Sequence, residues 1–309
     1  MADLSVNLAG INLRNPVVTA SGTFGYGRDY QELVPLAALG AITVKGVSPF
    51  PAHGNPTPRT AEVVAGMLNA IGLQNPGIDK FIHHPDYLPF LRTVDTQVIV
   101  NIWGRTLADY VEVAAGLEAE KTGIAALEIN ISCPNIKAGG IAFGTNLEQA
   151  ARVVAAVRRA TTLPLATKLS PNVSHLADFA RAVVDAGSDM LSLINTFPAL
   201  AIDIETRRPR LGAITGGLSG PAIKPLAVRA VYDCHRAVPA TPIIGMGGIC
   251  TAADAIEFFL AGASAIAVGT AIFADPTAPL RIRDGIADYL RRHGYQSVTQ
   301  LVGALELPA

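Results

Sequence analysis

The chain has 309 residues, of which 50% are hydrophobic and 16% are charged, and its formal net charge at pH 7 is −1. This length and composition suit one large α/β domain, over residues 1–309, with a sizeable buried core. The charge balance argues against a nucleic-acid-binding protein, which needs clustered Lys and Arg side chains, and we expect neither a signal peptide nor a membrane span, because no long apolar run occurs.

The first predicted element is an amino-terminal β-hairpin. The segment LSVNLAGINLRNP begins at Leu4, and we expect its turn at Ala9–Gly10. Eight short apolar runs follow, and in each of them the apolar residues are followed by Gly, Ser, Pro or Asn. The runs are PVVTASG from Pro16, AITVKG from Ala41, QVIVNIWG from Gln97, ALEINIS from Ala126, PLATKLSP from Pro164, MLSLINTF from Met190, PIIGMGGI from Pro242 and AIAVGTAIF from Ala265. Continuous apolar runs are typical of parallel strands that are buried on both faces.

Helical patterns lie between most of these runs. One begins with an asparagine cap at Asn146, and another begins at Thr251 and ends at Gly262. Eight strand-then-helix units favour an α/β fold of the (β/α)8 TIM-barrel type, with the hairpin covering its bottom. The alternative is a doubly wound open sheet, which we consider less suitable because no dinucleotide-binding fingerprint follows the first strand.

Two connections are too long to be simple crossovers. They run from Gly46 to Thr96 and from Pro198 to Gly220, and both are rich in Gly and Pro. Long loops in a compact domain are usually functional. We therefore expect long inserted loops at the carboxyl-terminal face of the barrel.

Polar residues follow nearly every predicted strand. In a barrel these positions meet at one face, where catalytic side chains lie. A single lysine at a strand end most often points into solvent. Two such lysines, each flanked by apolar sequence, favour a functional site. The strand ends offer Ser21, Lys45, Asn101, Asn130 with Ser132 and Cys133, Lys168, Asn195 with Thr196, Gly247–Gly248 and Gly269–Thr270. By contrast, Cys234 and Cys250 are interpreted as structural, and no metal site is predicted.

The glycine turns after the last two strands indicate a phosphate-bearing ligand. Loops after strands seven and eight often bind phosphate in this fold, and glycine lets the backbone approach closely. Flavin mononucleotide (FMN) suits such a site, with Lys168 placing positive charge near the N1–C2=O side of the ring. The amides of Asn69, Asn130 and Asn195 suit a substrate rich in imide and amide groups.

Several ordered motifs resemble the dihydroorotate dehydrogenases, and specifically their NAD-linked, two-subunit class. The resemblance covers almost the whole chain. The motifs are ASGTFGYG from Ala20, VKGVS from Val44, GNPTPRTAE from Gly54, MLNAIGLQNPG from Met67, INISCPNIKAGGIAFGTN from Ile129, KLSPNV from Lys168 and GMGGI from Gly245.

This resemblance implies that the chain oxidises dihydroorotate to orotate in pyrimidine biosynthesis. It implies Cys133 as the catalytic base, with Lys45 and Lys168 as the other catalytic residues. The implied FMN contacts are Ser21, Lys45, Gly46, Asn101, Asn130, Lys168, Ile194, Gly220, Gly247, Gly248, Gly269 and Thr270. The implied substrate contacts are Lys45, Asn69, Ala70, Ile71, Gly72, Leu73, Asn130, Asn195 and Thr196.

The class decides which acceptor receives the electrons. The membrane-bound, quinone-using class carries an amino-terminal extension and a serine base, which this chain lacks. The fumarate-using homodimeric class also has a cysteine base, but GLQNPG and KAGGIAFGT match the NAD-linked class. That class pairs with a subunit that carries FAD and a 2Fe-2S cluster, in a heterotetramer built on a dimer of the catalytic chain. One departure is Trp103, where a small residue is expected.

The cysteine content agrees with a cytoplasmic protein. The three cysteines are scattered and form no CxxC pair, which suits a reducing compartment. They are too few to hold an iron–sulfur cluster within this chain. Two other functions stay open, a different FMN barrel that reduces a pyrimidine ring or an alkene, and a phosphosugar-binding barrel without catalysis.

Overall fold

The computed structural model describes residues 2–132 and 141–308. Its strands are β1 (Val6–Leu8), β2 (Ile11–Leu13), β3 (Val17–Thr19), β4 (Ala41–Val47), β5 (Thr60–Val63), β6 (Gly66–Asn69), β7 (Gln97–Ile102), β8 (Ala126–Asn130), β9 (Leu165–Lys168), β10 (Met190–Leu193), β11 (Phe197–Ala199), β12 (Ile202–Asp203), β13 (Arg208–Pro209), β14 (Gly216–Ser219), β15 (Ile243–Met246) and β16 (Ala265–Val268). Its helices are α1 (Ile78–His83), α2 (Leu88–Leu91), α3 (Leu107–Ala119), α4 (Ile141–Gly144), α5 (Leu147–Ala160), α6 (Leu176–Asp185), α7 (Lys224–Ala237), α8 (Ala252–Ala261), α9 (Ala271–Ala274) and α10 (Ala278–His293).

Eight parallel strands close into a barrel in the order β3, β4, β7, β8, β9, β10, β15 and β16. Each strand coincides with one of the eight apolar runs, so the predicted TIM barrel is confirmed and the open sheet is excluded. The strands β8, β9, β10, β15 and β16 are buried along their whole length, as parallel strands covered by helices must be. Within the described ranges, no helix has the length and apolar character needed to cross a bilayer.

The amino-terminal hairpin forms as predicted. Strands β1 and β2 pair antiparallel, and the turn lies at Ala9 (φ 51°) and Gly10 (φ 90°). Positive φ at both central residues is typical of a two-residue hairpin turn. The alternate apolar side chains of both strands are buried in the main core. Because the hairpin leads directly into β3, it lies at the amino end of that strand, the bottom of the barrel.

The two long insertions join each other above the carboxyl-terminal face. Strands β5 and β6 come from the first insertion, β11 and β14 come from the second, and together they form one antiparallel sheet in the order β11, β14, β6, β5. Asn69 pairs with Gly217 in this sheet, and the Asn69 side chain Nδ2 donates to the Gly217 carbonyl at 3.3 Å. The insertions therefore form an additional layer over the barrel mouth.

The predicted helix ends are present in α5 and α8. Asn146 caps α5, because its side chain accepts a hydrogen bond from the N–H of Gln149. Thr251 and Asp254 form a capping box at the start of α8, and Gly262 ends that helix in the left-handed conformation. Caps of this kind satisfy backbone groups that the helix itself leaves unpaired.

A carboxylate at the end of α3 ties this helix to the loop before β9. Glu118 accepts hydrogen bonds from Lys121 Nζ at 2.8 Å, from the N–H of Thr162 at 2.9 Å and from Thr161 Oγ1 at 2.7 Å. The bond from Lys121, followed by those from the two threonines, lowers the pKa of Glu118 from 4.5 to about 2. Ionised Glu118 therefore stabilises the folded state above its unfolded pKa, and this contribution is lost as the pH falls through about 2.

We expect Glu118→Gln to lower the free energy of unfolding at pH 7. The difference from wild type should shrink as the pH falls below ~4.5, because the unfolded wild-type chain then binds a proton at Glu118 that the folded state does not, which lowers the wild-type free energy of unfolding. Urea unfolding at several pH values between 7 and 3.5 measures this. Glu112→Gln, on the exposed face of the same helix, is the control. A difference that stays constant over this range would contradict the assignment.

Candidate active site

A cavity of about 430 Å³ opens at the carboxyl ends of the barrel strands. This volume is in the range of small-molecule sites. Every barrel strand, or the residue that directly follows it, contributes to the wall, so the wall gathers positions that are far apart in the sequence. The predicted site residues that line it are Ser21, Lys45, Gly46, Asn69, Ile71, Gly72, Leu73, Asn101, Asn130, Lys168, Ile194, Asn195, Thr196, Gly220, Gly247, Gly248, Gly269 and Thr270.

Two predicted site residues are not in this wall. Cys133 lies outside the described residues. Ala70 is fully buried and packs with Leu68 and Leu211 in a small apolar cluster beneath the inserted sheet. The Ala70 side chain points away from the cavity wall, since neighbouring residues of an extended chain point to opposite sides, and a substrate contact at this position stays a prediction.

The charge of the cavity wall is one-sided. Among its described residues are three cations, Lys45, Arg59 and Lys168, and no Asp or Glu. Such a wall favours an anionic ligand. Sequence reasoning missed Arg59, a single arginine in a Pro-rich loop, and the structure holds it by a 2.7 Å bond from its Nη1 to Gln74 Oε1. Within residues 2–132 and 141–308, no group of three or more His, Cys, Asp or Glu side chains is placed to hold a metal ion.

Glycines shape one end of the cavity. Gly247 and Gly248 have φ values of 131° and 77°, which side chains rarely tolerate. A Cβ at Gly248 would lie 2.8 Å from the carbonyl oxygen of Gly220, and one at Gly247 would lie 2.7 Å from Ala227 Cβ. A side chain is therefore excluded at both positions, which line the cavity with backbone only. Thr270 also lines the cavity, and its Oγ1 donates to Ser219 Oγ at 2.8 Å.

Cys250 also lines the cavity, although the sequence predicts it to be structural. Burial, together with the nearby charge of Asp254, raises the pKa of its thiol. The neutral thiol is therefore favoured, which makes Cys250 a poor proton acceptor. Cys234, by contrast, is fully buried among helix and strand side chains away from this wall, and burial raises its pKa to about 12.

A hydrogen-bond network connects the polar side chains of the wall. Lys168 Nζ donates to Ser21 Oγ at 3.1 Å, and Asn101 Nδ2 donates to the same oxygen at 3.3 Å. Asn130 Nδ2 donates to Asn101 Oδ1 at 3.3 Å. Lys168 and both asparagines are buried, so these bonds hold the side chains in fixed directions without competition from bulk water.

The network continues to the residue before Cys133. Asn130 Oδ1 accepts from both the N–H and the hydroxyl of Ser132 at 3.3 Å, and Asn195 Nδ2 donates to Ser132 Oγ at 2.9 Å. Tyr110 OH donates to the Asn130 carbonyl at 2.7 Å. The bonds from Tyr110 and Asn195, together with those between Ser132 and Asn130, therefore hold the segment that directly precedes Cys133.

Sequence reasoning missed the acidic residue of this network. Glu128 Oε1 accepts from Asn101 Nδ2 at 2.6 Å and lies 3.8 Å from Lys168 Nζ. Glu128 is not part of the cavity wall, and its side chain is only 2% exposed. A signal was available, because strand alternation places Glu128 on the same face as Asn130.

Trp103 packs behind the cavity wall instead of entering it. The residue is 2% exposed, and its ring meets Phe50 edge-on with centroids 5.8 Å apart. A Cβ at Gly46 would lie 3.0 Å from Trp103 Cδ1 and 2.8 Å from Asn101 Oδ1. Asn101 and Trp103 together therefore leave no room for a side chain at position 46. Its indole Nε1 has no hydrogen-bond partner among the described residues.

Comparison with known sequences identifies the family. A family model described as dihydroorotate dehydrogenase matches residues 3–290. The dihydroorotate dehydrogenase B (NAD(+)) catalytic subunit of Geotalea daltonii is 57% identical over 305 residues, which cover 99% of each chain. The subunits with the same name from Geobacter sulfurreducens and Desulforamulus reducens are 56% and 52% identical, also with 99% of each chain covered.

Comparison with solved structures agrees. Dihydroorotate dehydrogenase from Eimeria tenella, solved in complex with ferulenol, matches with a TM-score of 0.81 at 25% sequence identity. The match covers 98% of this chain and 88% of the Eimeria chain. The sequence matches, the barrel and its polar mouth lead to one conclusion: the chain belongs to the dihydroorotate dehydrogenase family.

Proposed function

We propose that the chain is the catalytic subunit of an NAD-linked dihydroorotate dehydrogenase, which oxidises (S)-dihydroorotate to orotate in pyrimidine biosynthesis. The charge of the cavity wall is the observation that carries this proposal. Three cations, no described carboxylate and a glycine-shaped end suit two anionic ligands, the phosphate of FMN and the carboxylate of dihydroorotate. The names of the similar bacterial subunits support the same activity.

The residues of the wall fit FMN. The turns at Gly220, Gly247 and Gly248, all with positive φ, suit backbone N–H groups that bind a phosphate, and Gly269 and Thr270 line the same cavity. The side chains suited to the ring are Ser21, Lys45, Asn101, Asn130 and Lys168, with backbone at Gly46 and Ile194. When bound, FMN supplies a hydride acceptor, its N5, for the hydrogen that leaves C6 of dihydroorotate.

Lys168 and Lys45 provide the positive charge that this chemistry needs. Lys168 is buried, and its ammonium group is held by Ser21. We assign it to the N1–C2=O side of the ring, where negative charge develops on reduction. Lys45 lies in the same wall and is assigned to the substrate carboxylate or the adjacent edge of the ring.

Amide side chains suit the substrate ring. Asn69, Asn130 and Asn195 line the cavity, and amide side chains carry both donors and acceptors, which suits a ring with N–H and C=O groups such as that of dihydroorotate. Ile71, Gly72, Leu73 and Thr196 complete the proposed substrate contacts.

Cys133 is the proposed base. The proton of C5 must leave on the face opposite the hydride acceptor, so a base is needed across the substrate. The thiolate Sγ of Cys133 would take this proton and become a thiol. The hydrogen bonds that fix Ser132 support this role, because they position the chain next to Cys133.

Electrons must then leave the subunit. We infer a partner subunit that carries FAD and a 2Fe-2S cluster and passes electrons to NAD+, in a cytoplasmic heterotetramer built on a dimer of this chain. The relatives are named catalytic subunits, which supports a partner. The chain itself has three cysteines, too few for a cluster of its own.

Anaerobic mixing of the flavin-loaded chain with dihydroorotate tests the proposal. The visible flavin absorption should bleach, and it should stay bleached after fumarate or NAD+ is added to the subunit alone. Recovery with fumarate would instead assign the chain to the fumarate-using class. A folded, flavin-loaded protein that dihydroorotate does not bleach would overturn the substrate and favour another FMN barrel, such as a pyrimidine-ring reductase.

A further inference from the structure

Glu128 is a buried carboxylate that the proposed chemistry does not use. It lies on β8, two residues before Asn130, and successive strand residues alternate between faces, so both side chains face the barrel interior. Asn130 lines the cavity and Glu128 does not. The carboxylate therefore lies one layer below the cavity wall, behind the residues that line it.

The contacts of Glu128 are with the wall residues that face the proposed flavin site. Its Oε1 accepts from Asn101 Nδ2 at 2.6 Å and lies 3.8 Å from Lys168 Nζ. Both nitrogens also donate to Ser21 Oγ. Lys168 is thus held between a hydroxyl and a carboxylate, with side-chain exposures of 6% for the lysine and 2% for Glu128.

Stability alone does not account for this pair. Burying two charges is costly, and well-packed apolar residues in their place are often equally or more stable. Alanine occupies the next inward position on each of the same strands, at Ala126 and Ala166. Barrel-interior positions in these strands therefore accept apolar side chains, and a charge at Glu128 needs another explanation.

A carboxylate also determines how Asn101 is turned. Ionised Glu accepts hydrogen bonds but donates none, so Asn101 must present its Nδ2. Its Oδ1 is then available to accept from Asn130 Nδ2. Glu128 therefore sets the direction of the Asn101 amide, and the Asn130 amide, which Ser132 also holds, matches it.

We propose that Glu128 is a positioning residue that orients Lys168 and Asn101 toward the FMN site and, by partly balancing the Lys168 charge, keeps the flavin reduction potential low. This inference rests on the proposed function. A lysine without a counter-charge would stabilise the anionic reduced ring strongly and hold its electrons. A balanced lysine still favours hydride arrival and lets the electrons pass to an acceptor such as NAD+.

The test is the midpoint potential of the FMN-loaded chain with Glu128→Gln, measured by dye-mediated chemical titration without substrate. Glutamine keeps the shape and an acceptor oxygen but removes the charge. We expect the equilibrium to shift at least tenfold toward reduced flavin, which is ~30 mV for a two-electron couple. Glu128→Asp, which keeps the charge but withdraws it from Lys168, should shift the potential in the same direction by less and serves if the glutamine variant does not fold.

An unchanged or lower potential in either flavin-loaded variant would overturn this role. Glu112→Gln, on an exposed helix face, should leave the potential unchanged and controls for effects of charge at a distance. The proposed function fails separately, when dihydroorotate does not bleach the wild-type flavin. The midpoint potential is measured by chemical titration without dihydroorotate. Its shift therefore decides the role of Glu128 even if dihydroorotate is not the substrate.

Discussion

Replacing Cys133 by alanine is expected to slow dihydroorotate oxidation by at least ~10²-fold, because a general base contributes roughly 10²- to 10⁴-fold. Substrate affinity should change little, since the side chain acts on the C5 proton and not on the carboxylate or the imide. Anaerobic stopped-flow bleaching at several dihydroorotate concentrations separates the limiting rate from the dissociation constant.

The pH profile gives a second readout for the same residue. A free thiol titrates near 8.5, so the reactive thiolate is a minor species at pH 7. The wild-type bleaching rate should rise with pH as the thiol ionises, and this rise should be absent from Cys133→Ala. Cys234→Ala is the matched control, because Cys234 lies on α7, away from the cavity wall. A loss of less than tenfold in Cys133→Ala would return Cys133 to a structural role.

The barrel could be predicted because its signals are local. Each parallel strand is covered on both faces, so it appears in the sequence as a short continuous apolar run that ends in Gly, Ser, Pro or Asn. Counting eight such runs is enough to choose a barrel. The strand-end residues could be predicted for the same reason, since the fold itself brings the carboxyl ends of all strands to one face.

The remaining features depend on contacts between distant segments. The pairing of β6 with β14 joins residues about 150 positions apart, and the sequence of neither strand indicates which strand it pairs with. Arg59 and Cys250 lie in loops, and hydrophobic periodicity does not predict the course of a loop. Their presence in the cavity wall could therefore not be predicted. The Ala70 side chain points away from the wall because side-chain direction alternates along an extended chain, which a motif taken as a unit does not show.

Glu128 shows a different limit. The sequence shows Glu128 within an apolar strand, but the role of a buried carboxylate can be interpreted only when its partner is known. The partner, Lys168, lies on the next strand, and the two are brought together by the register of β8 against β9. Pairing of this kind follows from barrel closure and cannot be derived from the spacing of the two residues.

Replacing Lys168 by alanine is expected to slow flavin reduction by ~10²-fold or more, which is the usual effect of removing one group that stabilises developing negative charge. The dissociation constant for dihydroorotate should change much less, because Lys168 is assigned to the ring and not to the substrate. Stopped-flow bleaching measures both. Lys80→Ala, an exposed lysine on α1, is the control, and equal bleaching rates in Lys168→Ala and wild type would exclude the role.

The same variant should also lose stability, because it leaves Glu128 buried without its ion-pair partner. Removing one member of a buried pair typically costs about 3–5 kcal/mol. The double variant Lys168→Ala with Glu128→Gln removes the unpaired charge, so its free energy of unfolding should recover part of that loss. Its flavin reduction should stay slow, since the missing ammonium group is not restored. Recovery of the rate together with the stability would mean that Lys168 serves the folded structure and not the electron transfer.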